Sequence, residues 1–193
     1  MKRVAVLLAD GFEEGESLFV VDIFRRAKIV CDSVSLEGEM VRGSHDIYVK
    51  ADRLLDNQTK NDYDMVVLPG GLPGATNLRD NELVIDWVRS FMADPEKYVA
   101  AICAAPMVLE RAGVSAGRRL TSYPADKYRT LFRDAEYVDD PDEMVVVDGH
   151  LITSRGPGTT MPFAFRLVEI LGGDAETLRE AMQYNLMRKS RQM

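Results

Sequence analysis

Short continuous apolar runs alternate with segments of helical periodicity along this chain. Lys2–Leu8, rich in Val and Leu and closed by Ala9-Asp10-Gly11, predicts a strand buried on both faces. Ile29–Ser35, Met65–Leu68 and Tyr98–Ile102 repeat the pattern. Between them, Glu13, Glu14 and Glu16 open a helix that carries Leu18, Phe19, Val21 and Phe24 to about Ala27, since negative charge suits a helix N-terminus. Further helices are expected over Asn81–Met92, Met107–Ala112, Met161–Leu171 and, behind the N-cap residue Asp174, Ala175–Met187. The pattern is weaker elsewhere. Glu37–Lys60, punctuated by Gly38, Gly43 and Asp56-Asn57, predicts hairpins or an excursion beside the main sheet. A short strand is expected near Leu120-Thr121, a polar helix from about Ala125 to Phe132, and another strand at Glu136–Val138. Met144–Val147 and Leu151–Thr153 flank Asp148-Gly149, which predicts a hairpin with a type I′ turn.

Strands that alternate with helices imply an α/β fold, a doubly wound and mostly parallel sheet with helices on both faces. No repeat, linker or low-complexity stretch divides the sequence, so one domain over 1–193 is expected. Ligands of such sheets bind beyond the carboxyl ends of the strands. Three segments follow strand ends: Asp10–Glu16, the loop Gly70-Gly71-Leu72-Pro73-Gly74, and the turn at Cys103.

Charge and cysteine content narrow the functions. The net charge is −7, and the basic residues cluster only modestly, at Arg188, Lys189 and Arg191, as a helix cap or solvated tail. Nucleic acid is therefore an unsuitable partner, because phosphate binding needs a positive footprint. No run approaches the roughly 18 apolar residues of a membrane span. Met1-Lys2-Arg3 precedes an apolar run that is too short for a signal peptide, so a cytoplasmic protein is expected. The two cysteines give no disulfide framework and suit a reducing compartment; Cys31, within an apolar strand, reads as a packing residue.

Cys103 is different, because it stands where a strand turns into a helix. A thiol there projects from the strand end, and helix N–H groups stabilise its thiolate, so a pKa below 7 is expected. A Cys–His pair is not apparent, since His45 falls in the irregular excursion and His150 beside the hairpin turn. Metal ligands are not clustered in sequence, and the glycine loop lacks the spacing and lysine of a P-loop, so neither a metal nor a cofactor is expected. Carboxylates are left. Glu13 and Glu16 share one face of a helix start, and a carboxyl group buried beside an anion keeps its proton at neutral pH.

Four segments carry a resemblance: Leu8–Glu16, Val67–Gly71, Ala100–Pro106 and Thr153–Thr159. In that order and over nearly the whole chain, they resemble the ThiJ/PfpI family, and within it the branch of the parkinsonism-associated protein deglycase. The resemblance implies a flavodoxin-like sandwich, usually dimeric, with a nucleophilic cysteine on an elbow. It makes Cys103 the nucleophile and Glu16 the carboxyl group bonded to its sulfur. Gly71 and Ala104 match backbone donors of an oxyanion site. Glu13, Asp22, Arg25 and the loop Ser154–Thr159, including Pro157, match segments near the pocket and the dimer contact. Where this branch commonly has Thr-His-Pro, the chain has Ser122-Tyr123-Pro124, and Tyr123 is a far weaker base at neutral pH.

The expected function is cysteine-dependent, cofactor-independent detoxification of 2-oxoaldehydes, of the glyoxalase III or protein deglycase type. Its substrate would be a small aldehyde or a glycated protein. The alternative is an oxidative-stress sensor or protective binding protein acting through Cys103 oxidation. A peptidase of the PfpI type comes third, because that branch has histidine directly after the nucleophile, where this chain has Ala104.

Overall fold

The computed structural model describes residues 2–190. The side chains of Arg188 and Lys189, and all of Arg191, lie outside the described residues. In chain order the elements are β1 (Arg3–Leu8), α1 (Glu14–Arg26), β2 (Val30–Ser35), β3 (Met40–Arg42), β4 (Tyr48–Lys50), β5 (Arg53–Leu54), β6 (Met65–Leu68), α2 (Gly74–Asp80), α3 (Glu82–Ala93), β7 (Tyr98–Ile102) and α4 (Met107–Arg111). They continue with β8 (Arg119–Leu120), α5 (Asp126–Arg129), β9 (Glu136–Tyr137), β10 (Val145–Asp148), β11 (Leu151–Ser154), α6 (Thr160–Ile170), α7 (Ala175–Ala181) and α8 (Tyr184–Ser190).

Seven strands form the main sheet in the order β10-β11-β7-β6-β1-β2-β5, parallel throughout except for the β10–β11 hairpin. Strand alternation sends successive side chains to opposite faces. Ala5 and Leu7 of β1 join Val66, Val99, Trp87 and Phe91 in one core, beneath α3 and α4. Val4, Val6 and Leu8 join Val67, Ile102, Phe24 and Phe165 in the other, beneath α1 and α6. The chain passes from β1 to β2 on one side and later returns to β6 on the other, so the sheet's switch point lies between β1 and β6.

Three local expectations are corrected. The hairpin loop is Gly149-His150, because Asp148 pairs with Leu151 inside the ladder and its carboxylate accepts the Arg119 N–H at 3.0 Å. Of the two loop residues only Gly149 has a positive φ (60°), the pattern of a type II′ turn instead of I′. The last helix is broken: Gln183 adopts φ 59°, and the break lets Tyr184 pack on Phe165 with ring centroids 5.1 Å apart. The polar helix after Pro124 covers only Asp126–Arg129. The irregular stretch supplies the β3–β4 hairpin, which folds over the start of α1, and the edge strand β5.

One stability prediction arises at the end of α1. Lys28 N–H bonds the Arg25 carbonyl and Ile29 N–H bonds that of Phe24, a Schellman cap whose left-handed position holds exposed Lys28 at φ 60° instead of glycine. Lys28→Gly relieves about 1 kcal/mol of left-handed strain and is expected to raise the melting temperature by about 2–4 °C.

Candidate functional site

Cys103 follows β7 at φ 63°, a conformation that a side chain with a Cβ rarely adopts. The elbow is held from both sides. Cys103 N–H donates to the Ser154 carbonyl at 3.1 Å, and the Cys103 carbonyl accepts the Tyr123 N–H at 2.8 Å. The β6 loop closes over it, and Gly70 is required there: a Cβ would stand 2.6 Å from Glu16 Oε2 and 2.7 Å from Cys103 Cβ. Gly70 N–H donates to Glu16 Oε2 at 2.7 Å, and Glu13 N–H donates to the Gly70 carbonyl at 2.9 Å. These bonds carry the first turn of α1 beneath the thiol.

Glu16 is fully buried, and its Oε1 has no hydrogen-bond partner among the described residues. Burial pushes its carboxyl up to about 7, against the hydrogen bonds of Cys103 and Gly70, and the nearby Glu13 charge adds to the rise. Burial likewise pushes the Cys103 thiol up, and an ionised Glu16 pushes it further. The Ala104 and Gly71 N–H groups act in the opposite direction, toward the thiolate. A thiol made acidic by its helix alone is therefore not what the fold builds. The two groups titrate as a coupled pair, and the first proton to leave it is the one the carboxyl holds at about 7. Cys31, in contrast, is buried in the core with its thiol pushed up by desolvation, as a packing residue should be.

The thiol opens into a cavity of about 450 Å³ lined by Glu13, Gly71, Ala104, Tyr123 and Pro157, which the sequence singled out, and by Ser44, His45, Leu72, Lys127 and Tyr128, which it did not. Asp22 and Arg25 are not brought to it. Asp22 pairs with Arg26 at 2.8 Å, and Arg25 with Asp52 at 2.6 Å and with the Cys31 carbonyl. Their helical register points them away from the elbow.

The β3–β4 hairpin corrects the reading of His45. Gly11 N–H bonds the Arg42 carbonyl and Ser44 N–H that of Phe12, so the hairpin tip lies on the β1–α1 turn. Gly43 has no room for a side chain because the Glu14 carboxyl occupies that space. Glu14 accepts the His45 backbone N–H at 2.7 Å and its Nδ1 at 3.0 Å. Burial alone would raise the Glu14 carboxyl, but these bonds and backbone N–H donors outweigh it and hold the group at about 2. The donor atoms of Glu13, Glu14 and His45 lie within 4.8 Å of one another, a cluster invisible in sequence spacing that has the composition of a metal-ligand set. His150 lies elsewhere, half-buried, with Nδ1 2.8 Å from the Lys97 carbonyl. No helix among the described residues is long and apolar enough to cross a membrane.

A cysteine elbow above a buried carboxyl group, at the carboxyl edge of a flavodoxin-like sheet, defines the class. The chain belongs to the DJ-1/PfpI family, whose model it matches over residues 2–170. It is 44% identical over 173 residues to protein dj-1beta of Drosophila melanogaster, covering 89% of this chain and 90% of that one. The crystal structure of that protein superposes with a TM-score of 0.87 at 41% identity, covering 94% of this chain and 97% of the other. The glutathione-independent glyoxalase DJ-1 of Schizosaccharomyces pombe is 32% identical over 177 residues, 88% and 91% of the two chains. An oxidized Toxoplasma gondii DJ-1 structure superposes with a TM-score of 0.86 at 31% identity, covering 95% and 98%.

Proposed function

We propose that this protein is a cysteine-dependent enzyme that converts 2-oxoaldehydes such as methylglyoxal, free or as early adducts on proteins, into hydroxy acids. The observation that carries the reading is the buried Glu16 carboxyl, raised to about 7 and paired with the thiol that opens into the cavity. Such a pair supplies a nucleophile and a proton carrier from the chain's own residues. The similarity to a relative named as a glutathione-independent glyoxalase supports the same class of substrate.

In this mechanism Cys103 Sγ bonds to the aldehyde carbon, and the pair's proton passes to the aldehyde oxygen to give a hemithioacetal. The Gly71 and Ala104 N–H groups, which face the sulfur at rest, stabilise charge on that adjacent oxygen. Glu16 removes the proton from the former aldehyde carbon and returns one to the neighbouring carbonyl carbon, while the hydroxyl proton passes from the first oxygen to the second. The first carbon is thereby oxidised and the second reduced, which leaves a lactoyl thioester. Water cleaves the thioester, releasing lactate and the Cys103 thiol. Purified protein, free of metal and glutathione, is expected to convert methylglyoxal to lactate, and Cys103→Ala to be inactive. Equal turnover by that variant would sink the mechanism.

A second reading has its own support. Cys103 is only partly buried, and a relative of the same fold is described as oxidized, so selective oxidation of Cys103 beside Glu16 would make the protein a peroxide sensor. Mild peroxide followed by intact-mass measurement is expected to add two oxygens at Cys103 and none at Cys31.

A further inference from the structure

The mechanism above leaves one step without a base. Glu16 lies beneath the sulfur, sealed from solvent, whereas the water that cleaves the thioester enters from the open side of the cavity. His45 is the imidazole that lines the cavity, with its side chain 68% exposed. Its orientation is set. Nδ1 lies 3.0 Å from Glu14 Oε2 and 3.0 Å from Ser44 Oγ, and the Ser44 hydroxyl can in turn donate to Glu13 Oε2 at 3.1 Å. With Nδ1–H given to the carboxylate, the neutral ring carries its lone pair on Nε2, and no described residue bonds that atom. A carboxylate that fixes the tautomer of an imidazole facing a nucleophile's cavity is the arrangement of a general base.

We propose that His45, oriented by Glu14, activates the water that releases the acyl group from Cys103; this rests on the oxoaldehyde reading above. In the step, His45 Nε2 takes a proton from water as the oxygen bonds to the thioester carbonyl carbon. The tetrahedral oxyanion forms against the Gly71 and Ala104 N–H groups and collapses with cleavage of the C–S bond. The electron pair leaves on Cys103 sulfur, which takes the remaining hydroxyl proton and becomes the thiol again; lactate departs as the carboxylate, and His45 returns its proton to solvent. No oxidant or cofactor is consumed.

The groups facing His45 are Glu13 and Glu14 from α1, Ser44 and Asp46 on its own loop, and Tyr123, Lys127 and Cys103 around the cavity. The hydrogen bond to Glu14, followed by the charges of Glu13 and Glu14, raises the imidazole pKa, so the basic form accumulates only above its ordinary 6.5. Glu14 acts as a positioning residue. In Glu14→Gln the bond that fixes the ring is weakened, and kcat is expected to fall with KM unchanged.

The test is pre-steady-state turnover of methylglyoxal by wild type, His45→Gln and His45→Asn, with acid quench and intact-mass analysis. Turnover is expected to fall about 10²-fold or more in both variants, the low end of what a general base contributes. Iodoacetamide alkylation of Cys103 is expected to proceed at the wild-type rate, which reports an intact elbow. The variants alone should accumulate an adduct of one methylglyoxal mass on Cys103 that hydroxylamine cleaves, as a thioester requires. Wild-type turnover in either folded variant, or an accumulated adduct that resists hydroxylamine, overturns the role of His45 and leaves the enzyme reading standing. Absence of lactate formation by the wild type overturns both.

Discussion

In Glu16→Gln, turnover of methylglyoxal is expected to fall about 10²–10⁴-fold, the usual worth of a positioned proton carrier. The replacement has the same shape and can still accept the Gly70 N–H, so the loss would report chemistry. Stability separates the two proteins further. Glu16 is raised from 4.5 to about 7 in the folded state, so the native protein holds this proton more tightly than the unfolded chain does. The associated stability is complete below pH 4.5 and is lost as pH rises through 7. The full excursion amounts to about 3 kcal/mol for a group this deeply buried. Thermal melts of the wild type are therefore expected to decline between pH 4.5 and 7, and those of Glu16→Gln to be flatter and higher at neutral pH. A variant that is less active yet more stable is the pattern of a strained functional site.

Gly71→Ala is expected to have the largest structural effect. Gly71 has φ 86°, and a Cβ would fall 2.5 Å from the Gly11 carbonyl oxygen and 2.6 Å from the Phe12 carbonyl carbon. Neither is the end of a flexible side chain, so the β1 and β6 loops would have to separate. Left-handed strain and overpacking together should cost about 2–4 kcal/mol, or roughly 5–15 °C in melting temperature. The Gly71 N–H would also leave the sulfur, so the residual folded protein should alkylate at Cys103 more slowly. Differential scanning calorimetry and iodoacetamide kinetics on the same preparation check both effects.

The parts of this molecule legible in sequence are those governed by local periodicity. The four core strands declare themselves by short continuous apolar runs and α1, α3 and α6 by a period of 3.6, and Cys103, Glu16, Gly71 and Pro157 follow from turns at strand ends and from the family's motifs. Cys103, Gly71 and Pro157 do line one cavity, with Glu16 buried beneath the sulfur. What sequence could not reveal is contact made at long range. His45 sits 31 positions from Glu14, in a stretch with little periodicity, and reaches it only because Gly43 leaves space for the carboxyl group. The single available signal was the glycine itself, followed by Ser44 and His45 in a tight turn. The acidity of the thiol was misjudged for a related reason. A helix N-terminus can be read from sequence, whereas the desolvation of Cys103 by the Gly70 loop and the charge beneath it depend on packing. Asp22 and Arg25, matched by motif alone, do not line this cavity and pair instead with Arg26 and Asp52.

The coupling of Cys103 to Glu16 is the centre of the account, and the pH dependence of Cys103 alkylation measures it directly. In the wild type, burial and the charge of ionised Glu16 hold the thiol up, so the thiolate step should lie above the ordinary thiol range. In Glu16→Gln the carboxylate charge beneath the sulfur is gone and only desolvation remains, so the step should move down. A wild-type step near the ordinary thiol value of 9.0, unmoved by the substitution, would contradict the pairing and with it the proposed chemistry.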